Sequence, residues 1–172
     1  AHVQTVHVDV MDGTFVPDTT WAEPEKVRVM VLPLQFEVDI MVNDPMAVLK
    51  PWAEAGAVRV LFHVEAPCDL RAAIDEAHGL GLEVGIAISL DTPLADIEPY
   101  LDSVSVVLVM AIAPGASGRP FHPSAIERVQ RLRAQMPWLT IEVVGGVDDK
   151  TATALRAAGA DRLVSASYLF AH

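Results

Sequence analysis

The feature that most constrains this chain is a repeated alternation of strand-like and helix-like segments. Seven short runs rich in β-branched and apolar residues are separated mainly by segments whose apolar residues have helical spacing. Three helical segments end at a glycine, Gly56, Gly81 or Gly159, and glycine suits the left-handed position that follows a helix. Each strand-helix step takes about 30 residues. The alternation predicts a parallel α/β sheet, either closed into a barrel or open and doubly wound.

The boundaries can be predicted from the same pattern. The predicted strands are 3–10, 36–42, 58–63, 83–89, 104–112, 140–144 and 162–165. The predicted helix caps are Asn43 or Asp44, Asp69, Ser124, and Asp148 or Asp149. No Gly-x-Gly-x-x-Gly follows the first strand, which counts against a dinucleotide fold. A barrel of this class has eight strands. We therefore expect one domain, 1–172, that is a (β/α)8 TIM-type barrel lacking the first strand-helix unit and the last helix, and thus incomplete at both ends.

The composition argues against several classes of partner and location. The 172 residues are 52% hydrophobic and 20% charged, with a formal net charge of −11. So acidic a surface repels phosphate backbones, which argues against nucleic acid as a partner. No apolar run reaches the roughly 18 residues of a membrane span, and Cys68, the single cysteine, has no internal disulfide partner. We expect a cytoplasmic protein with a small phosphorylated partner, in which a homo-oligomer is one way to cover exposed sheet edges.

The candidate chemical groups lie near the ends of predicted strands. His7, Asp9 and Met11 alternate along the first strand and so share a face, as do Glu37, Asp39 and Met41 on the next. In a barrel the carboxyl ends of the strands hold the active site. Buried ionisable groups need a partner or a metal. His7 and Asp9 therefore form either a structural hydrogen-bonded pair or, with Asp39, a divalent metal site.

Further candidates follow later strands. His63 ends the third strand and suits either a satisfied core position or a pocket, and Met110 near the end of the fifth suits ordinary packing or an apolar lid. Gly145 and Gly146 open a strand-helix loop of the kind that supplies phosphate N–H donors, with Ser167 beyond the last strand. The loop 114–119, which contains Gly118 and one arginine, is a candidate lid.

The order of these motifs resembles the ribulose-phosphate 3-epimerase family over essentially the whole chain. The matching segments are HVDVMDGTFVPD (7–18), EVDIMV (37–42), FHVEA (62–66), DTPL (91–94), MAIAPGASGRPF (110–121), EVVGGV (142–147) and GADRLVSAS (159–167). The resemblance implies a metal-dependent (β/α)8 enzyme that holds zinc, iron, manganese or cobalt. It also implies that this enzyme interconverts ribulose 5-phosphate and xylulose 5-phosphate through an enediolate.

The resemblance also implies residue roles. His7 and Asp9 match two metal ligands, and Asp9 matches one of two acid/base carboxylates. His63 matches a pocket histidine. The methionines that cap the enediolate match Met11, Met41 and Met110, and the phosphate cradle matches Gly145, Gly146 and Ser167.

The departures from the family lie at the centre of the site. Asp39 stands where the family has histidine, and Val144 where it has the aspartate that is both a ligand and the second acid/base group. Arg119 replaces the usual glutamine of the lid, and Ala166 replaces a glycine. Two interpretations remain: an epimerase of a ketose phosphate, or a catalytically impaired phosphosugar-binding or structural relative. A decarboxylase of a related barrel type would need an Asp-x-Lys strand motif, and Asp39 is followed by no lysine.

Overall fold

The fold is an alternation of strands and helices. A computed structural model describes residues 3, 5–21, 23–30, 34–115 and 118–170. Its elements are β1 (Thr5–Met11), α1 (Pro24–Val29), β2 (Gln35–Met41), α2 (Met46–Glu54), β3 (Arg59–His63), α3 (Leu70–Gly79), β4 (Glu83–Ile88), a 3-10 helix (Leu94–Ser103), β5 (Val106–Met110), α4 (Ser124–Gln135), β6 (Thr140–Val144), α5 (Asp149–Ala158), β7 (Arg162–Val164) and α6 (Ser167–Phe170). This order confirms the predicted α/β class of a TIM-type barrel. The chain divides into two compact units, Ala1–Gly85 and Ile86–His172.

In the first unit, β1, β2 and β3 form parallel ladders in chain order. His7 pairs with Glu37, and Glu37 pairs with Arg59. Two residues further along, Asp9 pairs with Asp39. Because side chains alternate between the faces of a strand, these two rows of residues lie on the same face of the sheet.

The helices of the first unit pack through small apolar faces. Leu49 and Trp52 of α2 are buried, and Trp52 meets Phe36 of β2 edge-on. The α3 face is buried as its spacing predicts, and the Asp69 carboxylate accepts the backbone N–H of Ala72 at 3.1 Å. These contacts hold the helices against the strands that carry the polar residues.

In the second unit, β5, β6 and β7 are parallel and again in chain order. Met110 pairs with Val144, which pairs with Val164. Helix α5 begins with a capping box in which the Asp148 carboxylate accepts the backbone N–H groups of Lys150 and Thr151. The strand ends and the loop before α5 thus lie at one edge of this unit's sheet.

Several predicted boundaries are confirmed and others are wrong. Asp69 and Asp148 are caps as predicted, whereas Pro45 and Pro123 occupy the two positions expected for Asn43 or Asp44 and for Ser124. Proline has the fixed backbone angle that suits a helix start, and neither helix has a side-chain cap hydrogen bond.

Other differences concern short elements. The sequence did not predict α1, in which Val27 alone is buried, or the 3-10 helix, which contains Pro99. The last helix, which the sequence predicts to be lacking, is represented by the four residues Ser167–Phe170. The three predicted glycine turns are confirmed, with φ of +97°, +81° and +111° at Gly56, Gly81 and Gly159. Within the described ranges, every helix is too short or too polar to traverse a lipid bilayer.

Candidate functional site

A cluster of one histidine and two aspartates lies on the β1–β2 ladder of the first unit. We call His7, Asp9 and Asp39 the His-Asp cluster. Nε2 of His7 lies 3.4 Å from Oδ1 of Asp9 and 3.8 Å from Oδ2 of Asp39. The cluster is graded in exposure, because the side chain of Asp39 is 1% exposed and that of Asp9 is 48% exposed. One side of it is therefore open to a small molecule.

The spacing of the His-Asp cluster fits a divalent cation. Nitrogen and oxygen ligands lie about 2.1 Å from zinc, so two ligands at a tetrahedral angle are about 3.4 Å apart. The distances from Nε2 of His7 to the two carboxylates, 3.4 and 3.8 Å, are close to that separation, and the ligand atoms of all three residues lie within 4.8 Å of one another. Three protein ligands with an open fourth position are the arrangement of a catalytic rather than a structural metal site.

The electrostatics of the cluster favour a positive charge. Burial alone would lower the pKa of His7, but its contacts with Asp39, Asp9 and Glu37 outweigh burial and raise that pKa well above 6.5. The pKa of Asp39 is lowered strongly, because the facing His63 and His7 outweigh the opposing effect of its burial. The same carboxylates that stabilise a proton on His7 would stabilise a metal cation.

His63 lies behind the cluster. Its Nε2 is 3.1 Å from Oδ1 of Asp39, and its Nδ1 is 3.6 Å from Oε2 of Glu65. Burial would lower the pKa of His63, but the charge of Asp39 raises it to about 9. The ring is fully buried, and Phe15 packs against it with ring centroids 5.1 Å apart. His63 is thus placed to orient Asp39.

Two of the three singled-out methionines meet in the first unit. Met11 and Met41 pair at the carboxyl ends of β1 and β2 and pack with Val16 and Phe15 in one apolar cluster. This cluster follows Asp9 and Asp39 along the strands by two residues. Met11 and Met41 therefore lie next to the His-Asp cluster on the same two strands, an arrangement compatible with either ordinary packing or an apolar cover.

The other singled-out residues belong to the second unit. Met110 ends β5, while Gly145 and Gly146 follow β6 with φ of +106° and +63°. A Cβ on Gly146 would lie 2.6 Å from the backbone nitrogen of Phe121, so only glycine fits this close approach. Ser167 begins α6, and Gly118 lies on an exposed loop.

The N-terminus of α5 is not available to a phosphate in this arrangement. The Asp148 carboxylate accepts the N–H groups of Lys150 and Thr151, and these bonds lower the pKa of that carboxyl. Any phosphate at this edge would have to use other N–H donors, such as those of Gly145 and Gly146.

Sequence reasoning placed Glu37 on the same face as Asp39 but gave it no role, and it missed Arg59 and Glu83, which also support the cluster. The Glu37 carboxylate is 2.9 Å from Nδ1 of His7, and Arg59 donates to Glu37 and to Glu83. The available signal was the period of two: Glu37 precedes Asp39 by two residues, and Arg59 interrupts an otherwise apolar strand. A charged residue inside a buried parallel strand indicates a partner on the neighbouring strand.

Comparison with known proteins identifies the family. The model of the ribulose-phosphate 3-epimerase family matches residues 1–170. The chain belongs to the ribulose-phosphate 3-epimerase family. A ribulose-phosphate 3-epimerase of Chlamydia muridarum is 36% identical over an alignment of 173 residues, and this alignment covers 96% of this chain and 75% of the relative. The ribulose-phosphate 3-epimerase of Oryza sativa subsp. japonica that is named the cytoplasmic isoform is 33% identical over 171 residues. That alignment covers 96% of this chain and 75% of the relative.

Solved structures show the same fold in distant proteins. The 3-hexulose-6-phosphate synthase of Salmonella typhimurium matches with a TM-score of 0.66 at 18% identity, over 81% of this chain and 66% of that one. At this identity the likeness concerns the fold alone. The match supports the expected TIM-type barrel.

Proposed function

We propose that this chain is a metal-dependent epimerase that interconverts ribulose 5-phosphate and xylulose 5-phosphate or a related pair of ketose phosphates. The observation that carries the proposal is the His-Asp cluster, in which His7, Asp9 and Asp39 have the spacing of ligands to one divalent cation. Family membership supports the reaction, since relatives that share about a third of their residues are named ribulose-phosphate 3-epimerases.

The cation would be zinc, iron, manganese or cobalt, held by His7, Asp9 and Asp39. When bound, it would supply stabilisation of the negative charge that develops on the substrate oxygens as the C3 proton leaves. All three side chains point to one small region and Asp39 is buried, so the ligands are held in place before binding. Asp39 is shorter than the histidine that the family has at this position.

Asp9 is the proposed acid/base group. It is the exposed member of the cluster, so a substrate can reach it. Asp9 would take the proton from C3, and the electrons of the broken C–H bond would pass into the enediolate. Return of a proton to the same face regenerates the starting sugar, whereas delivery to the opposite face gives the epimer.

Val144 is the residue that limits the second step. It occupies the position of the family's second acid/base aspartate, as the motif EVVGGV indicates, and valine carries no proton. A positioned proton carrier contributes roughly 10²–10⁴-fold in rate. We therefore infer that this chain exchanges the C3 proton with solvent faster than it inverts C3.

The remaining substrate contacts follow the family motifs. The motifs assign substrate contacts in each unit separately: Met11, Met41 and His63 in the first, and Met110 and Gly118 in the second. Gly145, Gly146 and Ser167 would hold the phosphate. We further propose one domain over residues 1–172 and a cytoplasmic location, which the name of the rice relative supports.

The test is deuterium exchange. Metal-loaded protein is incubated with ribulose 5-phosphate in D2O, and proton NMR follows deuterium at C3 together with formation of xylulose 5-phosphate. We expect exchange to exceed epimerisation by at least about 10²-fold, the lower value for one missing proton carrier. Asp9→Asn should abolish both reactions. Equal rates would contradict the one-base scheme, and no exchange with metal bound would favour a phosphosugar-binding relative without catalysis.

A gain-of-function variant tests the role of Val144. Val144→Asp should raise epimerisation towards the exchange rate, because it restores a proton carrier at that position. Val144→Asn is the matched control, since asparagine has the same shape as aspartate but carries no ionisable proton. If the two variants epimerise equally, the deficit does not arise from the missing acid.

A further inference from the structure

A row of alternating charges in the first unit begins at His7, which is also a member of the His-Asp cluster. His7, Glu37 and Arg59 occupy paired positions on β1, β2 and β3, and Glu83 begins β4. Glu37 Oε1 lies 2.9 Å from His7 Nδ1, and Glu37 Oε2 accepts Nη1–H of Arg59. Arg59 Nε also donates to Glu83 Oε2 at 2.9 Å. Four consecutive strands thus each contribute one charged group to a continuous chain of contacts.

The burial of this row sets it apart from a surface ion pair. The side chains of Glu37 and Arg59 are 4% and 7% exposed, and only Glu83, at 38%, reaches solvent. Removing charges from water costs several kcal/mol per ion, so apolar residues would stabilise these positions as well or better. The row is therefore poorly explained by stability alone.

The geometry of the row indicates that it orients His7. Glu37 uses one carboxylate oxygen for His7 and the other for Arg59, so Arg59 fixes the plane of the carboxylate that His7 meets. With Nδ1 of His7 engaged by Glu37, the opposite nitrogen Nε2 faces Asp9 and Asp39. A histidine that binds metal through one nitrogen commonly donates its other N–H to a carboxylate, which fixes the ring and increases its basicity.

We propose that Arg59 is a positioning residue: by holding Glu37, and buttressed by Glu83, it aims Nε2 of His7 at a divalent cation. This inference rests on the proposed metal-dependent function. Arg59 touches neither the ligands nor the substrate in this scheme. Its effect reaches the metal through two side chains, Glu37 and His7.

The test uses cobalt(II) and two readouts. The first is the cobalt(II) dissociation constant of the purified chain, measured by competition with a chelator. The second is the exchangeable Nδ1–H proton of a cobalt-bound histidine, which proton NMR detects as a shifted signal in H2O but not in D2O. In the wild-type chain we expect one such signal that exchanges slowly with solvent, because Glu37 covers the Nδ1–H group of His7.

Arg59→Met should weaken cobalt(II) binding by about 10-fold or more, within the 10–100-fold range for supporting residues of metal ligands, and should speed exchange of the Nδ1–H signal. Glu83→Gln removes the negative charge of the outer anchor of Arg59 but keeps an acceptor oxygen, so a smaller change in the same direction is expected. Because Glu83 is partly exposed, this variant keeps the proposal testable if Arg59→Met does not fold. Arg59→Lys retains the charge but not the two-sided contact, and should rescue binding only in part.

Arg133→Gln is the matched control. Arg133 also joins a carboxylate, that of Asp161, and donates to the carbonyl of Gly159, and both of these partners belong to the second unit. This variant should lower the melting temperature without changing cobalt(II) affinity or Nδ1–H exchange.

The outcomes separate the two proposals. If wild-type protein binds no cobalt(II), the proposed metal site is wrong and the role of Arg59 fails with it. If wild-type protein binds cobalt(II) but Arg59→Met and Glu83→Gln bind it equally well with unchanged exchange, the function stands and the positioning role is overturned. If Arg133→Gln weakens binding as much as Arg59→Met, the effect reflects general stability and also overturns the positioning role.

Discussion

Replacing Gly146 with alanine is a sharp test of the loop that follows β6. Gly146 has φ of +63°, and an added Cβ would lie 2.6 Å from the nitrogen and 2.8 Å from the Cα of Phe121. Ordinary contact begins at 3.4 Å, so the methyl group overlaps main-chain atoms that no rotamer change can remove. The left-handed conformation costs about 1–2 kcal/mol for alanine, and forced overpacking adds about 1–3 kcal/mol.

We therefore expect Gly146→Ala to lower the free energy of unfolding by about 2–5 kcal/mol, the sum of these two costs. The assay is urea unfolding followed by far-UV circular dichroism. Gly118→Ala is the control in the same unit, because Gly118 has φ of +77° but nothing lies within 4 Å of an added Cβ. That variant should pay only the conformational cost of about 1–2 kcal/mol.

The difference between the two variants isolates the contact with Phe121. If their free energies of unfolding agree within about 0.5 kcal/mol, a typical error of additivity, the close approach of Gly146 to Phe121 does not exist. The argument that glycine is needed at this position would then fail.

Three further predictions concern packing, a helix cap and the cysteine. Leu49→Ala should lower the free energy of unfolding by about 2–5 kcal/mol, whereas Met46→Ala on the same helix, at a residue that is 46% exposed, should change it by no more than about 0.5 kcal/mol; equal losses in urea unfolding would contradict the assigned face of α2. Asp148→Ala should destabilise the chain at neutral pH. The Thr151 N–H holds the pKa of Asp148 below 3.8, so this stabilisation is lost as pH falls through that lowered pKa, and melting curves of variant and wild type should converge in acid but not at neutral pH. Cys68 should react with iodoacetamide more slowly than a free thiol at mildly alkaline pH, because burial and the nearby Asp69 and Asp44 raise its pKa; a rate equal to that of glutathione would count against this environment.

The predicted strands and the His-Asp cluster depend on local rules, which is why they could be read from the sequence. Alternation along β1 places His7 and Asp9 on one face whatever the rest of the chain does. Parallel pairing of consecutive strands then brings Asp39 beside Asp9. The turns at Gly56 and Gly81 are equally local, because glycine tolerates the positive φ of these positions without help from the rest of the chain.

The elements that sequence reasoning missed are those whose stability is not local. Helix α1 has six residues and buries Val27 alone, and the 3-10 helix Leu94–Ser103 contains a proline, so neither has the long apolar period that a prediction needs. Both depend on packing against neighbouring elements. The proline caps of α2 and α4 were missed for a related reason, since polar residues next to them looked like better caps.

By itself, the sequence determined the α/β alternation, the parallel pairing and the face on which His7, Asp9 and Asp39 lie. It did so because strand period and strand order act over a few residues or between neighbouring segments. The tertiary structure decided which of the buried charges touch. Arg59 meets both Glu37 and Glu83 because β3 pairs with β2 in a register that sets Arg59 beside Glu37, and β4 lies on the other side of β3. The position of one strand relative to another is set by the packing of the whole sheet rather than by any single segment.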